Sequence, residues 1–110
     1  MAVTFEGAGA LAVNATTTTL PVVAPACNVD DILICALINK RVTLNTISAP
    51  DGTWFQVIAQ EVNDCTTAAD DHQYALFWHR AVAGDSGATF NFTKATDDNL
   101  LFAGIISTWR

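Results

Sequence analysis

One short string in the sequence matches a known catalytic motif. Gly84-Asp85-Ser86-Gly87 has the letters that surround the nucleophile of chymotrypsin-like proteases, in which a histidine accepts the serine proton and an acid orients the histidine. The rest of that pattern is missing, since no histidine stands in an Ala-Ala-His-Cys segment and the chain has 110 residues, about half of what such an enzyme needs. Glycine, aspartate and serine are also preferred turn residues. The string therefore predicts a tight turn between two strands.

The two histidines do not suit a shared metal ion. His72 and His79 are seven positions apart in a predicted strand, and an odd offset directs two side chains to opposite faces. The acidic loop 64–71 offers oxygen ligands of the kind that calcium prefers, but it lacks the Asp-x-Asp-x-Asp-Gly order of an EF-hand. We expect a solvated acidic loop there, with no metal and no cofactor.

Two carboxylate pairs, Asp30-Asp31 and Asp97-Asp98, stand at predicted strand ends. A glycosidase needs two carboxyl groups about 5–10 Å apart in a cleft, but aspartates at strand ends are more often turn formers. No glycine-rich phosphate loop, zinc signature or cysteine–histidine nucleophile pair accompanies them. These residue types predict a protein that is not an enzyme.

Three tryptophans, Trp54, Trp78 and Trp109, lie in three different predicted strands. Large aromatic side chains usually fill a sandwich core or a subunit interface. The alternative is that Trp54 or Trp78 is exposed on a sheet face and stacks on the sugar rings of a glycan.

The elements that carry these residues have the pattern of an all-β protein. Short apolar runs alternate with turn residues, no long window has a helical period, and the fourteen threonines favour pleated surfaces. Residues 32–38 and 100–109 are apolar on both faces, and we expect the first of these segments to be a central strand that is buried on both sides. The pattern predicts about seven or eight strands in a two-sheet antiparallel β-sandwich of jelly-roll-like type.

The first 26 residues differ from the rest, because they hold almost no charge and carry Pro21 and Pro25. Proline cannot donate to a strand ladder, so it is confined to edge strands or irregular segments. We predict a single domain in which residues 1–26 form an N-terminal arm or edge strands and residues 27–110 form the sandwich core. The arm is expected to extend another subunit's sheet. The candidate partner-binding residues, here and at the chain end, are Val3, Phe5, Leu11, Leu20, Val22, Val23 and Trp109.

Composition limits the possible partners. Hydrophobic residues make up 51% and charged residues 15%, against about 25% charged in typical domains, so part of the surface is expected to be covered by a partner. With a net charge of -6 and five Lys and Arg, the chain has no cationic stripe for nucleic acid or an anionic membrane. It has no uncharged apolar run of about 18 residues and no basic region of a signal peptide at its start.

Two further expectations concern the cysteines and the last strand. Cys35 lies in an apolar run and is predicted to be a core residue, whereas Cys27 and Cys65 lie in loop-like sequence and could pair. The sequence ends with an apolar strand at Trp109-Arg110. We expect that strand either to continue into further chain or to be covered by a neighbouring subunit.

Four segments together resemble a known group of proteins. They read VDDILICA at 29–36, APDGTW at 49–54, YALFWHRAVAGDSG at 74–87 and LFAGIISTWR at 101–110. Their order is similar to that of small β-sandwich virion proteins of tailed bacteriophages, in which "gD-ll", "P-GW", "-W-R-A--GD-G" and "--i-aYRG" segments recur. The turn at Gly52-Thr53-Trp54 is one residue longer than the common Gly-Trp, and the sequence stops at Arg110, before the glycine of the last motif.

This resemblance implies a structural function. The group includes capsid decoration (cement) proteins and fibre-associated domains, and it carries no catalytic residues to transfer. The expected partners are the major capsid protein or another virion protein, and further copies of the chain, with a homotrimer preferred. The expected location is the phage head surface, after synthesis in the bacterial host cytoplasm. The alternatives are a carbohydrate-binding or adhesion module of a phage fibre and a self-assembling filament subunit.

Overall fold

Residues 2–40, 45–57, 61–63, 71–96 and 100–110 are described by a computed structural model. This part of the chain forms ten strands and no helix, so it holds no helix that could cross a membrane. The strands are β1 (Phe5–Ala8), β2 (Ala12–Asn14), β3 (Thr19–Val23), β4 (Ile32–Lys40), β5 (Ile47–Ser48), β6 (Phe55–Gln56), β7 (Glu61–Asn63), β8 (His72–Arg80), β9 (Thr89–Lys94) and β10 (Phe102–Trp109).

The larger of two antiparallel sheets contains seven strands. Its centre consists of the three longest strands, in the order β10-β4-β8. Strands β1 and β2 pair with successive parts of β10, on the side away from β4. Strands β6 and β7 pair in the same way with β8, again on the side away from β4. The sheet is therefore five strand positions wide, with an interrupted strand at each edge.

The smaller sheet has the order β3-β9-β5 and packs against one face of the larger sheet. Because side chains alternate along a strand, each sheet contributes every second residue to the shared core. The two-sheet β-sandwich predicted from the sequence is confirmed. The described strands outnumber the expected seven or eight because several are only two or three residues long. The core residues include Leu20, Val22, Leu33, Cys35, Ile47, Trp54, Phe77, Phe92, Phe102 and Ile106.

Strand β4 occupies the centre that its sequence predicts, between β10 and β8. Its inward side chains Leu33, Cys35 and Leu37 are buried, but the alternating Ile34, Ala36 and Ile38 are only partly covered or exposed. The expectation that this strand is buried on both faces is therefore wrong within the described chain. The physical reason is that the smaller sheet covers one face of the larger sheet, and no described strand forms a second layer over the other face.

Residues 1–26 belong to the sandwich. Strands β1 and β2 lie at an edge of the larger sheet and β3 at an edge of the smaller one, so these residues form edge strands and not a separate arm. Leu20 and Val22, predicted to bind a partner, are instead fully buried in the core. Whether the segment also extends another subunit's sheet stays a prediction.

The turn predicted at residues 84–87 is confirmed. Gly84 and Gly87 have φ angles of 100° and 73°, which glycine adopts without strain. Backbone hydrogen bonds from Asp85 N to Val82 O and from Ala88 N to Asp85 O close two successive turns.

The cysteine and acidic-loop predictions are resolved in part. Cys35 is buried in the core, as predicted, and Cys27 has a free thiol. Cys65 and residues 64–70 of the acidic loop lie outside the described residues, as does the pair Asp97-Asp98. Asp71, the last residue of that loop, is buried and not solvated.

Gly9, between β1 and β2, lies against the backbone at the end of β3. A Cβ atom at Gly9 would overlap the backbone carbonyl oxygen of Val23, whereas one at Gly7 would have nothing within 4 Å. Because a backbone atom cannot move aside as a side chain can, we expect Gly9→Ala to lower the free energy of unfolding by about 1–3 kcal/mol. Urea denaturation measures the change. Gly7→Ala is the matched control, and equal effects of the two variants would contradict this packing.

Candidate binding surface and adjoining cleft

The uncovered face of the larger sheet is apolar across its three central strands. The pairing registers place Ile105, Ala36 and Leu76 in one row across β10, β4 and β8, with similar rows two residues away on either side. Residues in such a row project to the same face. We call this surface the outer apolar face, and its residues are Ile34, Ala36, Ile38, Tyr74, Leu76, Trp78, Ala103 and Ile105.

A shallow groove of about 250 Å³ runs along this face. It is lined by Leu11 from the β1–β2 connection and by residues of the outer apolar face, including Ile38 and Ile105. Leu11 is 63% exposed and Tyr74 42% exposed. The groove therefore presents apolar side chains to solvent in a recess that a protruding apolar side chain could fill.

An aromatic pair stands at each margin of the outer apolar face. At the β1 edge, the rings of Phe5 and Trp109 meet edge to face with centroids 5.2 Å apart. At the β6 edge, Phe55 and Trp78 lie 5.3 Å apart with an angle of 30° between their planes. Both phenylalanines are about half exposed. Large, half-exposed aromatic side chains are typical of interface residues that contribute strongly to binding.

On the three central strands, the charged side chains of this face stand at the strand ends. Arg80 ends β8 and pairs with Asp30 at 3.0 Å, both side chains being about two-thirds exposed, and Lys40 ends β4. Ser107 is polar, but its hydroxyl donates to Ile34 O and accepts from the indole of Trp109. The middle of the face therefore offers no charge that a covering partner would have to desolvate.

An ion-pair network closes one end of the larger sheet. The guanidinium of Arg110 donates two hydrogen bonds to the carboxylate of Asp31, at 2.9 and 2.8 Å, and also contacts Glu6 at 3.1 Å. The backbones of Arg110 and Thr4 exchange two hydrogen bonds. The Arg110 side chain and the Asn28 N–H hold the pKa of Asp31 below its usual range. This network fixes the end of β10 against β1 and the start of β4.

A cleft of about 600 Å³ opens beside the β6 margin. Its floor includes His79, whose Nδ1 lies 3.0 Å from Thr53 O and whose Nε2 lies 2.8 Å from a carboxylate oxygen of Asp85. The buried ring of Trp54 stacks on the imidazole, with centroids 5.1 Å apart. The histidine thus joins strand β8 to the turn before β6 and the turn before β9.

These contacts also settle the chemistry of the Gly-Asp-Ser-Gly string. Both ring nitrogens of His79 are occupied, and the Ser86 hydroxyl accepts a long hydrogen bond of 3.4 Å from Cys27 N. Ser86 therefore has no base in His79. His72 and His79 lie on opposite faces of β8, as their spacing predicts.

The residues predicted for binding fall into two groups. Val3, Phe5, Leu11 and Val23 are exposed and Trp109 and Trp78 are partly exposed, so they are accessible to a partner. Trp54 is buried against His79, Phe90 and Phe92 and cannot serve as an exposed glycan platform. Its ring faces inward because the 51–53 turn precedes β6 and directs Phe55, not Trp54, outward.

The sequence-based list missed most of the outer apolar face. The signal was present, because β4 and β10 are apolar at both odd and even positions. A strand that is apolar on both faces is typically covered on both sides, so this pattern alone does not predict an exposed face. Phe55 could be assigned only once its pairing with Trp78 was known.

Comparisons of this chain with protein-family models, with curated proteins and with solved structures found no match. The likeness to phage virion proteins therefore stays a prediction.

The His79–Asp85 contact predicts a local stability effect. Asp85→Ala removes the carboxylate that accepts from Val82 N and contacts His79 Nε2, and hydrogen bonds to charged groups contribute about 1.5–3 kcal/mol. We expect a loss of about 2 kcal/mol in the free energy of unfolding, measured with urea. Ser86→Ala, in the same turn, is the control and should change stability by less than about 0.5 kcal/mol. Equal losses would contradict the role of the Asp85 carboxylate.

The Asp31–Arg110 pair predicts a pH dependence. Because the pKa of Asp31 is lowered in the folded chain, its contribution to stability is present above the unfolded value of about 3.9 and is lost as pH falls through the folded pKa. Asp31→Asn should therefore destabilise the protein near neutral pH, with the difference from wild type shrinking on acidification. The measurement is the midpoint of urea denaturation at a series of pH values. Asp30→Asn, in the neighbouring exposed pair with Arg80, is the control. A difference that is constant with pH would contradict the assignment to Asp31.

Proposed function

We propose that this chain is a structural subunit of a tailed-bacteriophage virion, a decoration protein that stabilises the capsid by binding across capsomers. The observation that supports it most is the outer apolar face, which has no covering layer in the described chain. In this proposal the shell, or a further copy of the chain on the shell, covers that face. The activity is binding, and it uses no cofactor.

The size of the face fits this role. The uncovered side of the larger sheet measures five strand positions at about 4.8 Å by eight residues at about 3.4 Å, which gives about 650 Å². Covering it with a matching surface would bury about 1,300 Å² in total, at the lower end of the range for a specific interface. Its three central strands, which carry the outer apolar face, account for about 400 Å², and at about 25 cal/mol per Å² an apolar patch of that size contributes roughly 10 kcal/mol on each side before the cost of association.

Contributions from the flanking edges would raise the binding energy further. Phe5 and Leu11 extend the apolar surface beyond β10. The edge of the sheet on this side is formed by two short strands, β1 and β2, which each pair with only part of β10. An edge of this kind can pair with a strand of a neighbouring subunit. A trimer of the chain at a local three-fold axis of the shell would place such edges against one another.

The four sequence segments that resemble phage β-sandwich virion proteins support the choice of a phage shell as the partner. Three of them map onto the elements that form the face, since 29–36 leads into β4, 74–87 contains most of β8, and 101–110 contains β10. The resemblance and the uncovered face therefore depend on the same strands. On this proposal the protein is made in the bacterial cytoplasm and resides on the head surface.

The proposal predicts that the chain raises the melting temperature of bare capsids of the phage that encodes it, because a ligand that binds only the assembled state stabilises it. Leu76→Glu places a charge in the middle of the outer apolar face and should abolish the increase. Val23, a partner-binding candidate from the sequence, lies on the smaller sheet and outside the outer apolar face. Val23→Glu is therefore the control, and on this proposal it should behave as wild type. Scanning calorimetry of capsids with and without each protein measures the effect.

Two results would contradict the proposal. The first is a capsid melting temperature that saturating wild-type protein leaves unchanged. The second is full stabilisation by a Leu76→Glu variant whose own melting curve shows it to be folded, since the outer apolar face would then not be the binding surface.

A further inference from the structure

The cleft beside β6 combines an aromatic platform with polar groups of both charges. Its walls include the rings of Phe55, Trp78 and Phe90, and its volume of about 600 Å³ lies within the range of small-molecule sites. Phe55 and Trp78 pack against each other, with centroids 5.3 Å apart and 30° between their planes, so they form one aromatic patch in the wall of the cleft. Such a surface binds the flat, C–H-rich side of a ligand.

Asp51 supplies a fixed hydrogen-bond acceptor at the rim of the cleft. One of its carboxylate oxygens accepts from the N–H and the hydroxyl of Thr53, at 2.8 and 2.6 Å. These hydrogen bonds lower the pKa of Asp51, so the group is ionised and its orientation is set. The second carboxylate oxygen of Asp51 accepts no hydrogen bond from the described residues.

Arg80 supplies donors near the same rim. Its Nε contacts Asp30 at 3.0 Å while its side chain is 66% exposed, so the outer nitrogens of the guanidinium face solvent. At the floor, His79 and Asp85 contact each other and are not available to a ligand. The accessible polar groups of the cleft are therefore an oriented acceptor and a group of donors, placed beside aromatic rings.

This combination selects among ligand classes. A purely apolar ligand would desolvate Asp51 and Arg80 without replacing their hydrogen bonds to water, which is costly. An ion of either sign would face one like charge at the rim. An uncharged ring with hydroxyl groups at its edge and a C–H-rich face meets both requirements, because the face stacks on the rings and the hydroxyls bond with the carboxylate and the guanidinium.

From this geometry we propose that the cleft binds the pyranose ring of a neutral carbohydrate, which stacks on Phe55 and Trp78 and hydrogen-bonds to Asp51 and Arg80. The inference goes beyond the structural function above. The sequence suggests Trp54 or Trp78 as residues that stack on a glycan. In this proposal Phe55 takes the place of Trp54, because Trp54 is buried beneath the cleft.

The test is a titration of the isotope-labelled full chain, observed by amide and indole NMR signals. The probes are maltotetraose, cellotetraose and laminaritetraose at millimolar concentration, with chondroitin tetrasaccharide as an anionic comparison and chitosan tetrasaccharide as a cationic one. We expect at least one neutral probe to shift the amides of residues 52–55 and 78–82 and the indole of Trp78. The charged probes should bind more weakly than that neutral probe.

Matched variants assign the binding to the cleft. Phe55→Ala should raise the Kd of the neutral probe roughly tenfold, which corresponds to about 1.4 kcal/mol. Phe5→Ala, in the aromatic pair at the opposite margin, is the control and should leave the Kd unchanged. Asp51→Asn keeps an oxygen that can accept from Thr53 and should weaken binding severalfold without loss of folding. This variant keeps the proposal testable if Phe55→Ala does not fold.

Three outcomes would overturn the proposal. They are the absence of shifts with all the neutral probes, shifts that Phe55→Ala and Asp51→Asn both leave unchanged, and binding of a charged probe alone. Because no capsid is present in this experiment, its failure would leave the proposed function in the virion unaffected.

Discussion

The structure depends on one constraint, which is that its three longest strands carry apolar side chains on both faces while the described chain covers only one face of the sheet they form. Strands β10, β4 and β8 are held together by long antiparallel registers, and the smaller sheet buries their inward residues, among them Leu33, Phe77 and Ile106. Outward residues such as Ile34, Leu76 and Ile105 are also apolar and remain partly exposed. An apolar patch of several hundred Å² on a protein surface commonly marks a binding site.

The same constraint explains where the polar chemistry lies. Charges gather at the ends of the central strands, where Arg110 pairs with Asp31 and Arg80 with Asp30, and the His79–Asp85 contact ties two turns together at the cleft. These groups stabilise the ends of the sandwich and leave the middle of the outer face without charge. A docking surface and a small cleft with different chemistry can thus share the margin formed by Phe55 and Trp78.

Much of the fold could be predicted from the sequence because alternation and turn residues are local signals. The central position of β4, the core position of Cys35 and the turn at 84–87 followed from them. Pro21 correctly indicated an edge strand, but proline reports on hydrogen bonding and not on the direction of side chains. Leu20 and Val22, on either side of Pro21, project inward together, and the sequence could not show that without the facing strand.

The candidate site was harder to predict, because it depends on which strands are neighbours. Phe55 and Trp78, or Ile105 and Ala36, are far apart in sequence and become neighbours through sheet topology alone. The most direct test of the central claim is hydroxyl-radical labelling of free and particle-bound protein. The account predicts that Tyr74, Leu76 and Trp78 are labelled in the free chain and protected on the particle, while Val23 is labelled in both. Equal labelling of the three residues in both states would contradict it.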